Sequence, residues 1–253
     1  MLTGILVLAA SLSALQQGPA AHYRISLKAS RNLDRTASGE DARGGTYTAV
    51  AFVSATTTSE GGSRMGHVVV DSVRCSGTGM MSMAFDTIVG TRSRGARYDF
   101  PIGSRFEVVP TPSISNVLTN TLAQTALMLF PTMDTKVAAG ATWTDSLDTS
   151  PMGDPDNKNR PIITRWKVVS VHGDSAVAEG DVRGAVTSTG RVVGTGLISG
   201  SRQLTAVGGV LRLQTSTVNQ ETMMVGEGAT AITRGTATTT LEIMAVWPGR
   251  MTP

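Results

Sequence analysis

The feature that most constrains this chain is a one-for-one alternation of apolar and polar residues, repeated in run after run of β-branched side chains. In "HYRISLKAS", Tyr23, Ile25 and Leu27 alternate with His22, Arg24, Ser26 and Lys28. Successive strand residues point to opposite faces, so a period of two describes a strand with one apolar and one wet side. Thirty-four threonines and many valines reinforce the reading, because branching at Cβ suits a pleated, half-buried surface better than a helix. Similar runs follow in "TYTAVAFVSATTT", "GHVVVDSVRC", "MMSMAFDTIV" and "RFEVV", divided by "SEGGSR" and "GTRSRGAR". A second series comprises "ATWTDSL", "IITRWKVVSV", "SAVAEGDV", "GAVTSTGRVVGTGLIS", "SRQLTAV", "GVLRLQTSTVNQETMMV" and "GTATTTLEIMAVW". Such short spacings exclude the long crossovers that parallel strands need and predict sequential antiparallel hairpins. "VHGDS" and "AVGGVL" read as tight turns, with Gly173 and the Gly208, Gly209 pair free to adopt positive φ.

Between the two series the period changes. In "PSISNVLTNTLAQTALMLFP" the apolar residues Ile114, Val117, Leu118, Leu122, Ala126 and Leu129 recur at three and four. Ser113 or Ser115 can cap the start and Pro131 stops the continuation, which predicts one main helix over 113–130. Its apolar stripe should lie on a sheet, with Asn116, Thr119, Asn120 and Gln124 outward or lining an opening. The phrase "FPTMDTKVAAGATWTD" then carries the chain back across the sheet. Gly140 provides a turn, and Trp143 opens a strand with its ring placed to seal the helix. A buried indole removes roughly 200 Å² from water, so Trp143 reads either as a structural plug or as the aromatic wall of a pocket; Trp166 and Trp247 read alike. "DTSPMGDPDNKNRP" is dense in turn formers and reads as an exposed hairpin tip.

A chain of 253 residues can bury one sizeable core, and an all-β domain of that length is often single. The apolar run from Leu2 to about Leu15, with no charge before Arg24, is too short to span a bilayer and suits a secretion signal. Residues 1–21 therefore read as a signal peptide-like leader and 22–253 as one β-rich domain, exported to a periplasmic or extracellular location, with no membrane span after leader removal. The net charge of +3 is spread along the chain, without the basic stripe that nucleic-acid binding requires. Eleven aromatic residues are too few for the girdles of an outer-membrane barrel. Cys75 is the one cysteine, which excludes an intramolecular disulfide and any multi-cysteine metal site; in its apolar run it reads as a small hydrophobe.

Chemistry-bearing motifs are missing from the sequence. There is no nucleophile elbow, no zinc-binding His-Glu-x-x-His, no phosphate-cradling loop and no dinucleotide fingerprint. His22, His67 and His172 are far apart and lack neighbours at metal spacing. Asp154, Asp156 and Asn157 supply hard oxygens, but the closing position of a calcium loop would fall near the cation Arg165. No metal, no cofactor and no enzymatic activity are expected. Met80, Met81, Met83, Met223 and Met224 suggest pliable packing; alternation places Met81 and Met83 on one face and Met80 on the other.

Four stretches carry a family resemblance: "HYRISL"; the helix leading into "LFPTMDTKVAAGATWTD"; "RWKVVSVHGDSAVAEGD"; and "GTGLISGSRQLTAVGGVLRLQTSTV". Together they resemble an uncharacterised family of secreted bacterial β-rich domains whose sheet looks like that of the LolA/LolB lipoprotein-carrier superfamily. Ala141 stands where that family more often has Asp. The resemblance implies a mainly β fold, a strongly curved antiparallel sheet or half-barrel packed around one main helix, with a hydrophobic cavity. The functional expectation is an exported, non-enzymatic protein that binds a lipid or other apolar ligand, or a cell-envelope component, in the concave face. Trp143, Met81, Met83, Leu118 and Leu122 are its candidate lining. Two other readings stand beside it. One is a structural or protein-interaction module whose sheet edge pairs with an envelope protein; the other is a hydrolase of unrecognised type, which requires a His, an acid and a Ser or Thr to converge.

Overall fold

The computed structural model describes residues 16–17, 20–34, 43–60, 63–79, 93–102, 125–126, 128–130, 138–147, 162–189, 192–208, 210–226 and 232–246. Nearly all are strand. In chain order they are β1 (Gln16–Gln17), β2 (Ala21–Asp34), β3 (Arg43–Glu60), β4 (Ser63–Gly79), β5 (Arg97–Ile102), β6 (Thr142–Leu147), β7 (Ile162–His172), β8 (Ser175–Thr189), β9 (Val192–Val207), β10 (Val210–Gly226) and β11 (Ile232–Val246). Several run longer than the alternation predicts. The sequence reading breaks β8 at Arg183-Gly184, but the strand passes through, and a Cβ on Gly184 would lie 3.1 Å from Ile162 Cγ1. That glycine marks a close approach of neighbours, not a turn. The turns fall where expected: Gly173 has φ 61° and Gly208 φ 58°, a conformation glycine adopts without steric cost.

One antiparallel sheet holds all of them, in the order β5, β4, β3, β2, β11, β10, β9, β8, β7, β6, with β1 paired to the far end of β3. Two meanders make up this order, β2 to β5 and β6 to β11. They are joined by the β11·β2 ladder, which runs from Val246 opposite His22 to Arg234 opposite Asp34. The sheet is not closed: β5 and β6 are its two ends. Residues 148–161 join the antiparallel neighbours β6 and β7.

Alternation gives the sheet one buried face. Tyr23, Ile25, Leu27 and Ala29 of β2 line up across the ladders with Val53, Ala51, Ala49 and Tyr47 of β3. Leu241 and Ile243 continue the face on β11, and Ala178 and Val182 continue it on β8. Cys75 lies opposite Ala49 and packs against this core, as a small hydrophobe should. Ala126 and Leu129, from the segment between β5 and β6, are buried in the same cluster. Residues 125–126 are helical, then the Met128 N–H donates to Thr125 O at 3.0 Å and the Leu129 N–H to Ala126 O at 3.2 Å. This tight turn lowers both apolar side chains onto the sheet, and full burial of Leu129 contributes about 2 kcal/mol. These residues fall within 113–130, where one main helix is expected; 113–124 and 127 lie outside the described residues, as do the leader up to residue 15, "MMSMAFDTIV", "RFEVV", 148–161 and Trp247.

The opposite face carries hydroxyls and charges, which accounts for the threonine excess. Thr46 and Thr78 share a hydrogen bond of 2.9 Å, Thr48 and Ser76 one of 3.0 Å, and Thr238 Oγ1 donates to Asn219 Oδ1 at 2.9 Å. Such lateral pairs stabilise a sheet by a few tenths of a kcal/mol to about 1 kcal/mol each. Lys28, Arg74, Lys167, Glu179 and Asp181 are exposed on the same face, an arrangement opposite to the apolar exterior of a membrane barrel. Among the described residues no helix is long and apolar enough to cross a membrane.

Candidate functional site

The β6·β7 ladder sets Trp143 directly opposite Trp166. Their rings stack at 5.6 Å between centroids, 12° from parallel. Trp143 is the second residue of β6, a strand the sequence predicts, after a turn at Gly140, whose N–H donates to Val168 O at 2.9 Å. Trp166 is buried on the core face, and Gly180 lies opposite it on β8. With no Cβ at 180, the indole lies over the strand; a Cβ would approach Trp166 Cε3 to 2.9 Å.

The same row continues to Arg202 on β9 and Ser216 on β10. Arg202 is in phase with Leu204 and Ala206, so the pleat sends its guanidinium to the buried face. There Nη1 donates to Thr164 Oγ1 at 3.0 Å, while Nε is inaccessible and has no partner among the described residues. Burial pulls the guanidinium below its ordinary value, and the charge of Asp145 works against that pull. Asp145 also accepts from Trp166 Nε1 at 2.8 Å. Thr164, Gln214 and Ser216 complete a buried polar patch, in which Gln214 Nε2 approaches Met128 Sδ at 3.7 Å. The Trp143 Nε1–H, equally inaccessible, has no acceptor among the described residues. An aromatic pair therefore stands beside a buried cation, with two donors unmet.

Of the residues expected to line a site, Trp143 takes its place here. Met81, Met83, Leu118 and Leu122 lie outside the described residues. Arg202, Thr164 and Asp145 escaped the sequence reading, although a signal existed. In "GSRQLTAV" and "IITRWKVV" a polar residue occupies the phase of the buried apolar ones, which a satisfied surface residue does not do.

A second cluster lies on the outward face. His67 Nδ1 meets Asp99 Oδ1 at 2.6 Å and its Nε2 meets Thr58 Oγ1 at 2.8 Å, across β3, β4 and β5. That is the connectivity of an acid, a base and a hydroxyl nucleophile. Nearby, Ser54 Oγ donates to Asp71 Oδ2 at 2.7 Å and lies 3.1 Å from His22 Nδ1; there the acid holds the hydroxyl, so no relay through the imidazole forms. His172 stands exposed at the β7–β8 turn, and the described residues contain no metal-binding group of His, Cys, Asp or Glu.

Open depressions mark the outward face. One of about 540 Å³ is lined by Arg165, Lys167, Glu179, Asp181 and Arg202, among others. Another, of about 380 Å³, is lined by Ser30, Asn32, Thr46, Thr78 and Thr238. Neither is apolar. No protein-family model matches the chain, and no curated protein does.

Proposed function

We propose that the protein is an exported, non-enzymatic binding protein that takes an apolar ligand, a lipid or a component of the cell envelope, on the buried face of its open sheet. The observation that carries this reading is the pair of unmet donors, Arg202 Nε–H and Trp143 Nε1–H, set beside the buried polar patch of Thr164, Gln214 and Ser216 on the core face. A face that served only as a core gains nothing from a buried guanidinium and its acid, because apolar residues of similar volume in place of both are neutral or better for stability. The apolar opening "LTGILVLAASLSAL" supports export, and among the described residues β5 and β6 are the unjoined ends of the sheet, which gives the face an open side. The fold reading that accompanies it is a half-barrel curled around the helix of 113–130, of the LolA kind. Its support is the burial of Ala126 and Leu129 and the tendency of sheets of about ten strands to curl. The ligand site is placed at the β6 to β10 end, beside Trp143, Trp166 and Arg202, because the two unmet donors lie there. Native mass spectrometry of gently extracted protein tests it: a co-purifying apolar molecule is the expected result, and a bare polypeptide mass from every preparation contradicts it.

The relay of Asp99, His67 and Thr58 favours hydrolysis as a second reading. Against it, the β3 backbone around Thr58 is engaged in ladders with β4 and β1, which leaves few N–H groups to hold an oxyanion. Turnover of an activated ester that disappears in both Thr58→Val and His67→Gln supports hydrolysis; identical background rates in all three proteins remove it.

A further inference from the structure

On the outward face, β7 to β10 carry two rows of polar side chains across the strands. Register sets Arg165 opposite Asp181, Asp181 opposite Ser201, and Ser201 opposite Thr217. The next row runs Lys167, Glu179, Gln203, Thr215. Facing residues stand about 5 Å apart between Cβ atoms, and the rows about 7 Å apart along the strands, so these groups bound one depression, of about 540 Å³. That volume suits a small ligand. No apolar side chain lines it, which excludes an alkyl chain or a greasy peptide. Its charges do not cancel. Asp181 is held on its own strand by Arg183, whose Nε donates to Oδ2 at 3.0 Å. Arg165, Lys167 and Glu179 have no ion-pair partner among the described residues, which leaves two free cations against one free acid. Beside them, the hydroxyls of Ser201, Thr215 and Thr217 and the amide of Gln203 have no protein partner among the described residues. An anion rich in hydroxyls answers both halves of this surface.

We propose that the depression binds an acidic oligosaccharide, a short chain of uronate residues. Its carboxylates accept from Arg165 and Lys167 in charge-assisted bonds, about twice as strong as neutral ones. Its ring hydroxyls exchange hydrogen bonds with Gln203, Ser201, Thr215 and Thr217, and donate to Glu179. The three strand spacings from β7 to β10, about 14 Å, match an extended chain better than a single small ion. This site lies on the face opposite the one that takes the apolar ligand, and either stands without the other.

Isothermal titration calorimetry at pH 7 and low salt tests this with trigalacturonate, its methyl ester and tricarballylate. The ester keeps the rings and loses the charge; tricarballylate keeps three carboxylates and has no ring. Wild type should bind trigalacturonate roughly tenfold or more tighter than either, and added salt should weaken the acid and spare the ester. The double variant Arg165→Gln, Lys167→Gln should bind acid and ester alike, and Gln203→Ala should weaken both severalfold. Lys28→Gln, which removes an exposed cation of the same face outside the depression, should bind as wild type does. All four positions are exposed, so the variants should fold, as circular dichroism checks. Equal affinity of wild type for acid and ester overturns the role of the cations. Tricarballylate binding as tightly as trigalacturonate overturns the sugar and leaves a simple anion site. An equal loss in Lys28→Gln overturns the depression as the site. Absence of binding by trigalacturonate overturns the proposal and leaves the apolar site on the other face standing.

Discussion

Gly180 shows how closely single residues are matched here. A Cβ at this position would lie 2.7 Å from Thr164 Cγ2 and 2.9 Å from Trp166 Cε3, so Gly180→Ala must push the indole off its strand. Overpacking of this kind destabilises by about 1–3 kcal/mol, measurable by urea denaturation. The Trp143–Trp166 stack should also weaken in that variant, seen as a loss of the indole exciton signal in circular dichroism. Arg202→Met is expected to cost about 1–3 kcal/mol as well, because it leaves the Asp145 carboxylate without the guanidinium charge beside it and Thr164 Oγ1 without its donor; unchanged stability would contradict that pairing. Tyr23 and Tyr98 set the alkaline limit. Burial raises both phenols from 10.0 to about 12, the charge of Arg212 acting against it at Tyr23. Their folded values stand above the unfolded one, so their contribution is intact below pH 10 and is lost as pH climbs toward 12. Absorbance titration with parallel denaturation should show both phenols ionising late and stability falling over that window; Tyr98→Phe should make the fall shallower.

Among the elements, edge and centre strands differ in what they tolerate. Ala141 O accepts from Val168 N, and antiparallel pairs alternate between bonded and non-bonded, so Trp143 and Asp145 amides face β7 while the Thr144 amide faces the open edge. Thr144→Pro should therefore fold with a small loss. Thr240→Pro, in β11 between two long ladders, should cost about 3 kcal/mol or more, as equilibrium unfolding would show. The elements were also the most legible level of the sequence. The period of two located β2, β6, β7 and the turns at Gly173 and Gly208 because each depends on neighbours in the chain. The continuity of β8 through Gly184 was not legible, since glycine there answers to Ile162 and Ile198 from other strands. The phase of Arg202 and Thr164 was visible, but the meaning of that phase depends on which residues lie across two ladders.

For the molecule as a whole, the sequence announced an antiparallel β protein and withheld its order. Nothing local specifies that the break falls between β5 and β6, or that β2 pairs with β11 in the middle of the sheet, a ladder that joins residues two hundred or more positions apart. The Asp99–His67–Thr58 relay was hidden for the same reason, with its three members on three strands. The open side is what the functional account stands on, because a closed ladder between β5 and β6 would wall off the face that holds Trp143 and Arg202. Residue-resolved amide exchange measures it most directly. Just before β5, Val70 N of β4 donates to Ala96 O, so by alternation the Tyr98 amide faces β4 and the Asp99 amide faces outward. Asp99 and Thr144 amides should exchange fast while those of Tyr98, Trp143 and the β11 residues are protected. Asp99 and Thr144 protected to the level of β11 would mean that the sheet is sealed there, and would contradict the account.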